Sequence, residues 1–200
     1  MKISTTYRNS FEKLCIKLLA KAYRNIIFEH KYQINWDEND FSEILCFRIN
    51  EDSFSVEKGI TCVTEKKLLS DKEIYKKGFA NQLARIDFIY FRVWKKIRFK
   101  YYMEAKRLKE KASALKRAYI NEGMQRFISN KYPLGCMLGY LLEGSVDKTI
   151  DGINSLLVKD NRDSEILSKK THEDINDYYE SNHDVIIILK HIILDFTLSS

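Results

Sequence analysis

Residues 98–108 alternate without a break. Phe99, Tyr101, Met103 and Ala105 fall on one side, and Lys100, Tyr102, Glu104 and Lys106 on the other. A period of two over this length excludes a helix and requires a strand with one apolar face to be covered. Just upstream, Arg85–Val93 is rich in Ile, Phe, Tyr and Val, a second strand signal. The short link through Lys95 and Lys96 makes the two runs an antiparallel pair.

The flanking segments supply the covering layers. Phe11, Leu14, Cys15, Leu18, Leu19, Ala22 and Ile26 recur at helical spacing, so residues 8–30 read as an amphipathic helix. Asp40 is the expected cap of a second helix, with Glu43 in its first turn. Residues 53–58 and 60–66 read as a hairpin around Lys58-Gly59, and 67–82 as an irregular or helical stretch. Residues 110–130 read as a helix, and Leu134–Leu142 as an apolar strand after the single proline, Pro133. Ser145 is the expected cap of a helix over 146–158. Residues 160–182 are polar and read as a loop or short helix, and Asp184–Phe196 as a final strand. This order predicts an α/β (α+β) domain, a mixed sheet flanked by helices.

The 200 residues include only 7 Gly and 1 Pro, which leaves little material for linkers. One domain over 1–200 is expected, with N-terminal helices over about 1–50 and a C-terminal strand over about 184–196. Cys15, Cys46, Cys62 and Cys136 are widely spaced among apolar neighbours, which suits buried free thiols in a reducing, cytoplasmic setting. The N-terminal residues lack the apolar run of a secretory signal, and the stretch near Val185–Leu194 is too short to span a bilayer, so no membrane association is expected. The net charge of +6 is unevenly spread. Between Arg92 and Arg117 eleven basic residues face only Glu104 and Glu110, a local +9, while the remainder carries −3. A polyanionic partner fits that concentration.

A turn centred between Lys95 and Lys96 sets Asp87 opposite Glu104, and Arg85 opposite Lys106. Directly opposed side chains share a face. Two carboxylates so placed repel unless one is protonated or a cation sits between them, and a hard divalent ion such as Mg²⁺ suits that position. Lys106 points to the same side. The other E-x-K runs are Glu29-His30-Lys31 and Glu65-Lys66-Lys67. The second competes, because a hairpin at Lys58-Gly59 sets Asp52 opposite Glu65.

Asp87 followed by Glu104-Ala105-Lys106 on the neighbouring strand, then a helix and another strand, resembles the PD-(D/E)xK nuclease superfamily, the restriction-endonuclease-like fold, over roughly residues 40–158. The resemblance implies a core of helix, three antiparallel strands, helix and strand. That order favours Glu104 over Glu65, which is followed by another strand pair. It also implies phosphodiester hydrolysis with Mg²⁺ or Mn²⁺, with Asp87 and Glu104 as metal ligands and Lys106 orienting or helping to deprotonate the attacking water. Ile86 stands where the pattern's proline would be. The runs Tyr101–Leu108, Glu122–Phe127 and Gly135–Tyr140 further resemble small restriction-endonuclease-like proteins of bacterial defence loci.

The remaining candidates are supporting ones. Glu43 is a candidate third metal ligand, as first-helix acids sometimes are in this superfamily. Gln125 and Arg126, on the helix after the E-x-K strand, are candidates to hold a phosphate. Lys95, Lys96 and Arg98 at the hairpin tip are candidates to track a duplex backbone. His191 reads as a packed core histidine, and His183 as a residue able to face the site. No Gly-rich phosphate loop or G-x-S-x-G element is present. The expectation is a metal-dependent endodeoxyribonuclease acting in bacterial defence, targeted to DNA by a protein partner or by homodimerisation. The alternative is a non-catalytic nucleic-acid-binding module or a structural subunit of a larger complex.

Overall fold

The computed structural model describes residues 5–68, 77, 79–81, 83, 85–132, 135–184 and 186–198. The chain opens with helices α1 (Thr5–Phe28), α2 (Glu38–Asn50) and α3 (Ser53–Lys58). Strands β1 (Ile60–Lys67), β2 (Arg85–Trp94) and β3 (Ile97–Lys109) follow, with a 3-10 turn at Phe79–Asn81 before β2. A helical run then passes through α4 (Ser113–Ala118), a π segment (Tyr119–Met124) and α5 (Gln125–Ile128). Strand β4 (Cys136–Glu143) and helix α6 (Val146–Lys159) come next, then a 3-10 turn (Asp163–Glu165) and strands β5 (Ser168–Lys170), β6 (Tyr178–His183) and β7 (Ile187–Asp195).

All seven strands form one mixed sheet in the order β1-β2-β3-β4-β7-β6-β5. The first three form an antiparallel meander. The parallel step from β3 to β4 requires a crossover, which the α4–α5 run provides. Strand β7 inserts parallel to β4 and antiparallel to β6. Central β4 is buried at every residue except Glu143, as a strand covered on both faces should be. On one face α1 and α2 pack Leu19, Phe41 and Leu45 against Phe88, Tyr90, Met103 and Tyr140. On the other, the π segment and α6 pack Tyr119, Met124 and Ile153 against Leu108, Met137 and Ile193.

The β2–β3 hairpin has the expected register, with Phe88 opposite Met103 through to Trp94 opposite Ile97. Its two-residue link puts both Lys95 (φ 48°) and Lys96 (φ 65°) in the left-handed region, the requirement of a type I′ turn.

Other expectations are corrected. Residues 53–58 are helix α3, not a hairpin arm: Asp52 accepts from the Phe54 and Ser55 amides at 3.0 and 3.3 Å, and Gly59 closes the helix at φ 60°. The Asp52–Glu65 pairing therefore does not form. Asp52 instead meets Lys21 at 2.6 Å, and Glu65 meets Arg85 at 3.2 Å. Helix α2 is capped by Asp37 rather than Asp40, whose Oδ2 accepts from the Asp37 amide at 2.9 Å in a capping box. The helix of 110–130 contains the π segment. Residues 160–182 contain β5 and most of β6. Of the stretch 67–82, all but 67, 68, 77 and 79–81 lies outside the described residues, as do Pro133 and Leu134. Cys15, Cys46, Cys62 and Cys136 are free and buried, as expected. No helix among the described residues is long and apolar enough to cross a membrane.

Candidate active site

Strands β2 and β3 part company just after the Phe88–Met103 pair. Beyond it, β3 runs on for six residues and pairs only with β4. Its amides on the β2 side need other acceptors. Two carboxylates supply them. Asp87 Oδ2 accepts from the Ala105 amide at 2.6 Å, and Glu38 Oε2 from the Arg107 amide at 3.2 Å. The β1–β2 ladder is also irregular here: Glu65, level with Asp87, has φ 50°, and pairing skips from Thr64 to Lys66. Asp87 thus sits where β2 leaves β3 and its pairing with β1 is interrupted for one residue, which explains an acid in an otherwise apolar strand.

Glu104 and Lys106 project from β3 on one side of the sheet, two residues apart. Glu104 is fully buried. Its Oε1 accepts from Lys106 Nζ at 3.1 Å and from Arg126 Nη1, delivered by α5. Its Oε2 is buried with no partner among the described residues. Lys106 Nζ also donates to Glu38 Oε1 at 2.8 Å and to the Ala105 carbonyl at 2.7 Å. Three carboxylates and two cations therefore share a small volume of which only the Glu38 side chain and Arg126 are substantially exposed.

The charges respond to this confinement. Burial pushes Asp87 up to about 6, against the pull of Lys106 and the Ala105 amide. Burial and the Asp87 charge push Glu104 up to about 7, against Lys106 and Arg126. For Lys106, burial alone would lower the pKa, but the Glu104, Glu38 and Asp87 carboxylates outweigh it and hold it above its ordinary value. The lysine is therefore an ammonium at neutral pH: a proton donor and a fixed positive charge, not a base.

The π segment holds the lysine from the other side. A Cβ at Gly123 would overlap Met137 Cε, so glycine lets this segment lie close against the β4 Met137 side chain, next to the Lys106 stem. π segments commonly occur at functional sites. Tyr119, its first residue, is anchored by a buried polar chain. Tyr119 Oη meets His191 Nδ1 at 2.9 Å, His191 Nε2 meets Ser181 Oγ at 2.7 Å, and Ser181 Oγ meets His183 Nε2 at 2.7 Å. His183 Nδ1 lies 2.8 Å from Glu165 Oε2. Ser181 is 1% exposed, so this chain is a packed internal strut. His183 consequently lies three strands from β3 and does not face the carboxylates. His191 is fully buried, the core histidine that was expected.

Among the expected residues, Asp87, Glu104, Lys106 and Arg126 come together. Glu43 does not join them: its Oε2 accepts from Thr64 Oγ1 at 2.6 Å, and its charge acts on Cys46 and Cys62. The α2 acid at the site is Glu38, which the sequence reading missed because it started the helix three residues late. Gln125 is exposed and lines an open groove of about 310 Å³ with Arg126, Asn121 and Lys131. Lys95, Lys96 and Arg98 are exposed at the hairpin tip, eight or so residues along the strands from Asp87. That separation is roughly 25 Å, too far for any of them to touch the carboxylates.

No three His, Cys, Asp or Glu side chains among the described residues form a cluster able to hold a metal ion. Two hard carboxylate donors are nevertheless available. Glu104 Oε2 is unpartnered among the described residues, and Asp87 uses its Oδ2 on the Ala105 amide. Such a pair suits Mg²⁺ or Mn²⁺, which take the rest of their coordination from water and phosphate. No family model, curated protein or solved structure matches this chain.

Proposed function

We propose that the chain is a metal-dependent nuclease that hydrolyses phosphodiester bonds in DNA. The observation that carries this reading is the two buried carboxylates, Asp87 and Glu104, beside the Lys106 ammonium, with one Glu104 oxygen unpartnered among the described residues. Burying two carboxylates side by side costs stability unless a cation or a proton compensates them. Such an arrangement is expected where function requires it. The order of α2, the three antiparallel strands, the α4–α5 helical run and β4 is also the order the PD-(D/E)xK resemblance implies.

Asp87 and Glu104 would hold the divalent ion. When bound, it would polarise a phosphate oxygen and acidify a water molecule. Lys106, fixed by Glu38 and the Ala105 carbonyl, orients that water and offsets negative charge developing on the phosphate. Arg126, about one-third exposed in its side chain, is the cation free to swing from Glu104 to a phosphate. The same resemblance suggests a role in bacterial defence, with a partner or a second copy directing the cut.

The test is incubation of the full chain with circular DNA in Mg²⁺ or Mn²⁺, comparing native protein with Glu104→Gln and Lys106→Met. Metal-dependent cleavage lost in both variants is the expected result. Cleavage surviving both substitutions would overturn the assignment. A second reading, a nucleic-acid-binding module without catalysis, is favoured by one observation: Lys106 and Arg126 already compensate Glu104 without a metal. It predicts DNA binding without cleavage and no Mn²⁺ uptake dependent on Asp87.

A further inference from the structure

Strand β3 continues past the carboxylates toward the hairpin tip, and its outer face changes character on the way. Stepping back from Lys106 and Glu104 on the same side of the sheet come Tyr102, half-buried, then Lys100 and Arg98, both exposed. The cross-strand partners on this side are Ile89, Phe91 and Val93. Ile89 is buried under the α5 end, but Phe91 is only partly covered and Val93 is 68% exposed. Lys100 Nζ lies 5.8 Å from the Phe91 ring centre. The opposite face of the same segment, with Phe99, Tyr101 and Met103, is sealed by α1. One side of the hairpin is thus core, and the other is an open strip of alternating cations and aromatic rings that ends at the carboxylates.

We infer that this strip is the approach track for single-stranded DNA, laid along β3 with phosphates on Arg98 and Lys100 and bases against Phe91 and Tyr102. Three physical points carry it. The strip is cationic, with no acid between Arg98 and Glu104, so it complements a phosphate chain. Successive residues on one side of a strand repeat at about 6.8 Å, a step comparable with that between neighbouring phosphates of an extended nucleic-acid strand. The aromatic rings offer π-faces to unstacked bases, whereas a duplex keeps its bases paired inside and presents only phosphates. A sheet face carrying rings is a single-strand platform, while duplex recognition places a helix or ribbon in a groove. The inference rests on the nuclease reading for the direction of the track and for what happens at its end.

The test measures binding without catalysis. Fluorescence anisotropy with the full chain in EDTA compares a labelled mixed-sequence oligonucleotide with its duplex at several salt concentrations. The expected result is a single strand bound about tenfold or more tighter than the duplex. Tyr102→Leu, which keeps the apolar contact, should weaken single-strand binding by about 5- to 100-fold, the loss of one stacked base. Lys100→Ala and Arg98→Ala should each lower the salt slope by about 0.7. Lys100 is exposed, so its variant tests the track even where Tyr102→Leu fails to fold. Duplex bound as tightly as single strand, or single-strand affinity unchanged in both Tyr102→Leu and Lys100→Ala, would overturn the track. Metal-dependent cleavage persisting in that case would leave the nuclease site standing. Conversely, strip-dependent binding with no cleavage under any metal would remove the site and leave the track.

Discussion

Removing the charge of Glu104 should stabilise the metal-free protein, and the gain should appear only as pH rises. Glu104 is pushed up to about 7 in the fold from an ordinary value of 4.5, because burial and the Asp87 charge together outweigh the pull of Lys106 and Arg126. A carboxyl whose pKa is raised on folding binds a proton more tightly in the native state. Its favourable contribution is complete below about pH 4.5 and is lost as pH climbs through about 7. From pH 5 to pH 8 that linkage removes roughly 2 to 3 kcal/mol. Glu104→Gln keeps the shape and an oxygen acceptor but cannot titrate. Urea unfolding in EDTA at pH 5, 6, 7 and 8 gives the difference between native protein and variant at each pH; groups remote from Glu104 cancel, and Asp87, relieved of a like charge in the variant, adds to the gain in the same direction. The variant should gain on the native protein by about 5–10 °C in Tm, or roughly 2 to 3 kcal/mol, across that range. Mg²⁺ added at pH 8 should restore the native protein and not the variant, since a ligand bound only by the folded state stabilises it by mass action. A stability difference that stays flat from pH 5 to 8 would refute the reasoning, because Glu104 would then be adequately paired by Lys106 and Arg126.

Three further outcomes are expected. Asp87→Asn retains an oxygen for the Ala105 amide and should keep the fold while abolishing cleavage, whereas Asp87→Ala strands that amide and should cost an additional ~1–3 kcal/mol in chemical unfolding. Replacing Lys95-Lys96 with Asn-Gly fits the two positive-φ positions and should raise stability by about 1–2 kcal/mol, as read by thermal melting. Tyr119→Phe leaves His191 Nδ1 without its hydroxyl partner in a fully buried chain and should cost about 1–3 kcal/mol, with hydrogen exchange rising first in the π segment.

The parts of the fold that were legible are those where one short-range rule acts alone. Alternation from Phe99 to Lys106 and the two-residue link at Lys95-Lys96 set the hairpin register without help from the rest of the chain, and with it the meeting of Asp87, Glu104 and Lys106. The failures come where local rules compete. Asp37 and Asp40 are both good caps, and only the reciprocal box decides between them; choosing Asp40 demoted Glu38 to a loop and promoted Glu43 in its place. Lys58-Gly59 suits a hairpin turn and a helix C-cap equally, and Asp52 capping α3 settles it for the helix. Strand β6 was hidden because its inward residues Ser181 and His183 are polar, and their partners His191 and Glu165 come from other elements. Burial of a polar strand is legible only once its hydrogen-bond partners are known.

The same parting of β2 and β3 explains both the cost and the use of the carboxylate cluster. Had the ladder continued past Phe88 and Met103, the Ala105 and Arg107 amides would be spent on β2, and neither Asp87 nor Glu38 would be held against them. Because it stops, two acids, Asp87 and Glu38, are drawn to one edge by backbone demand, and Lys106 is held there by Glu38 and Glu104. Structural need therefore accounts for Asp87 Oδ2 and for both Glu38 oxygens. It accounts for Glu104 Oε1, which pairs with Lys106 and Arg126, but not for Oε2, which is buried without a partner among the described residues. An apolar residue at 104 would satisfy the fold better than a carboxylate raised to about 7. Glu104 is thus the residue on which the proposed chemistry chiefly rests.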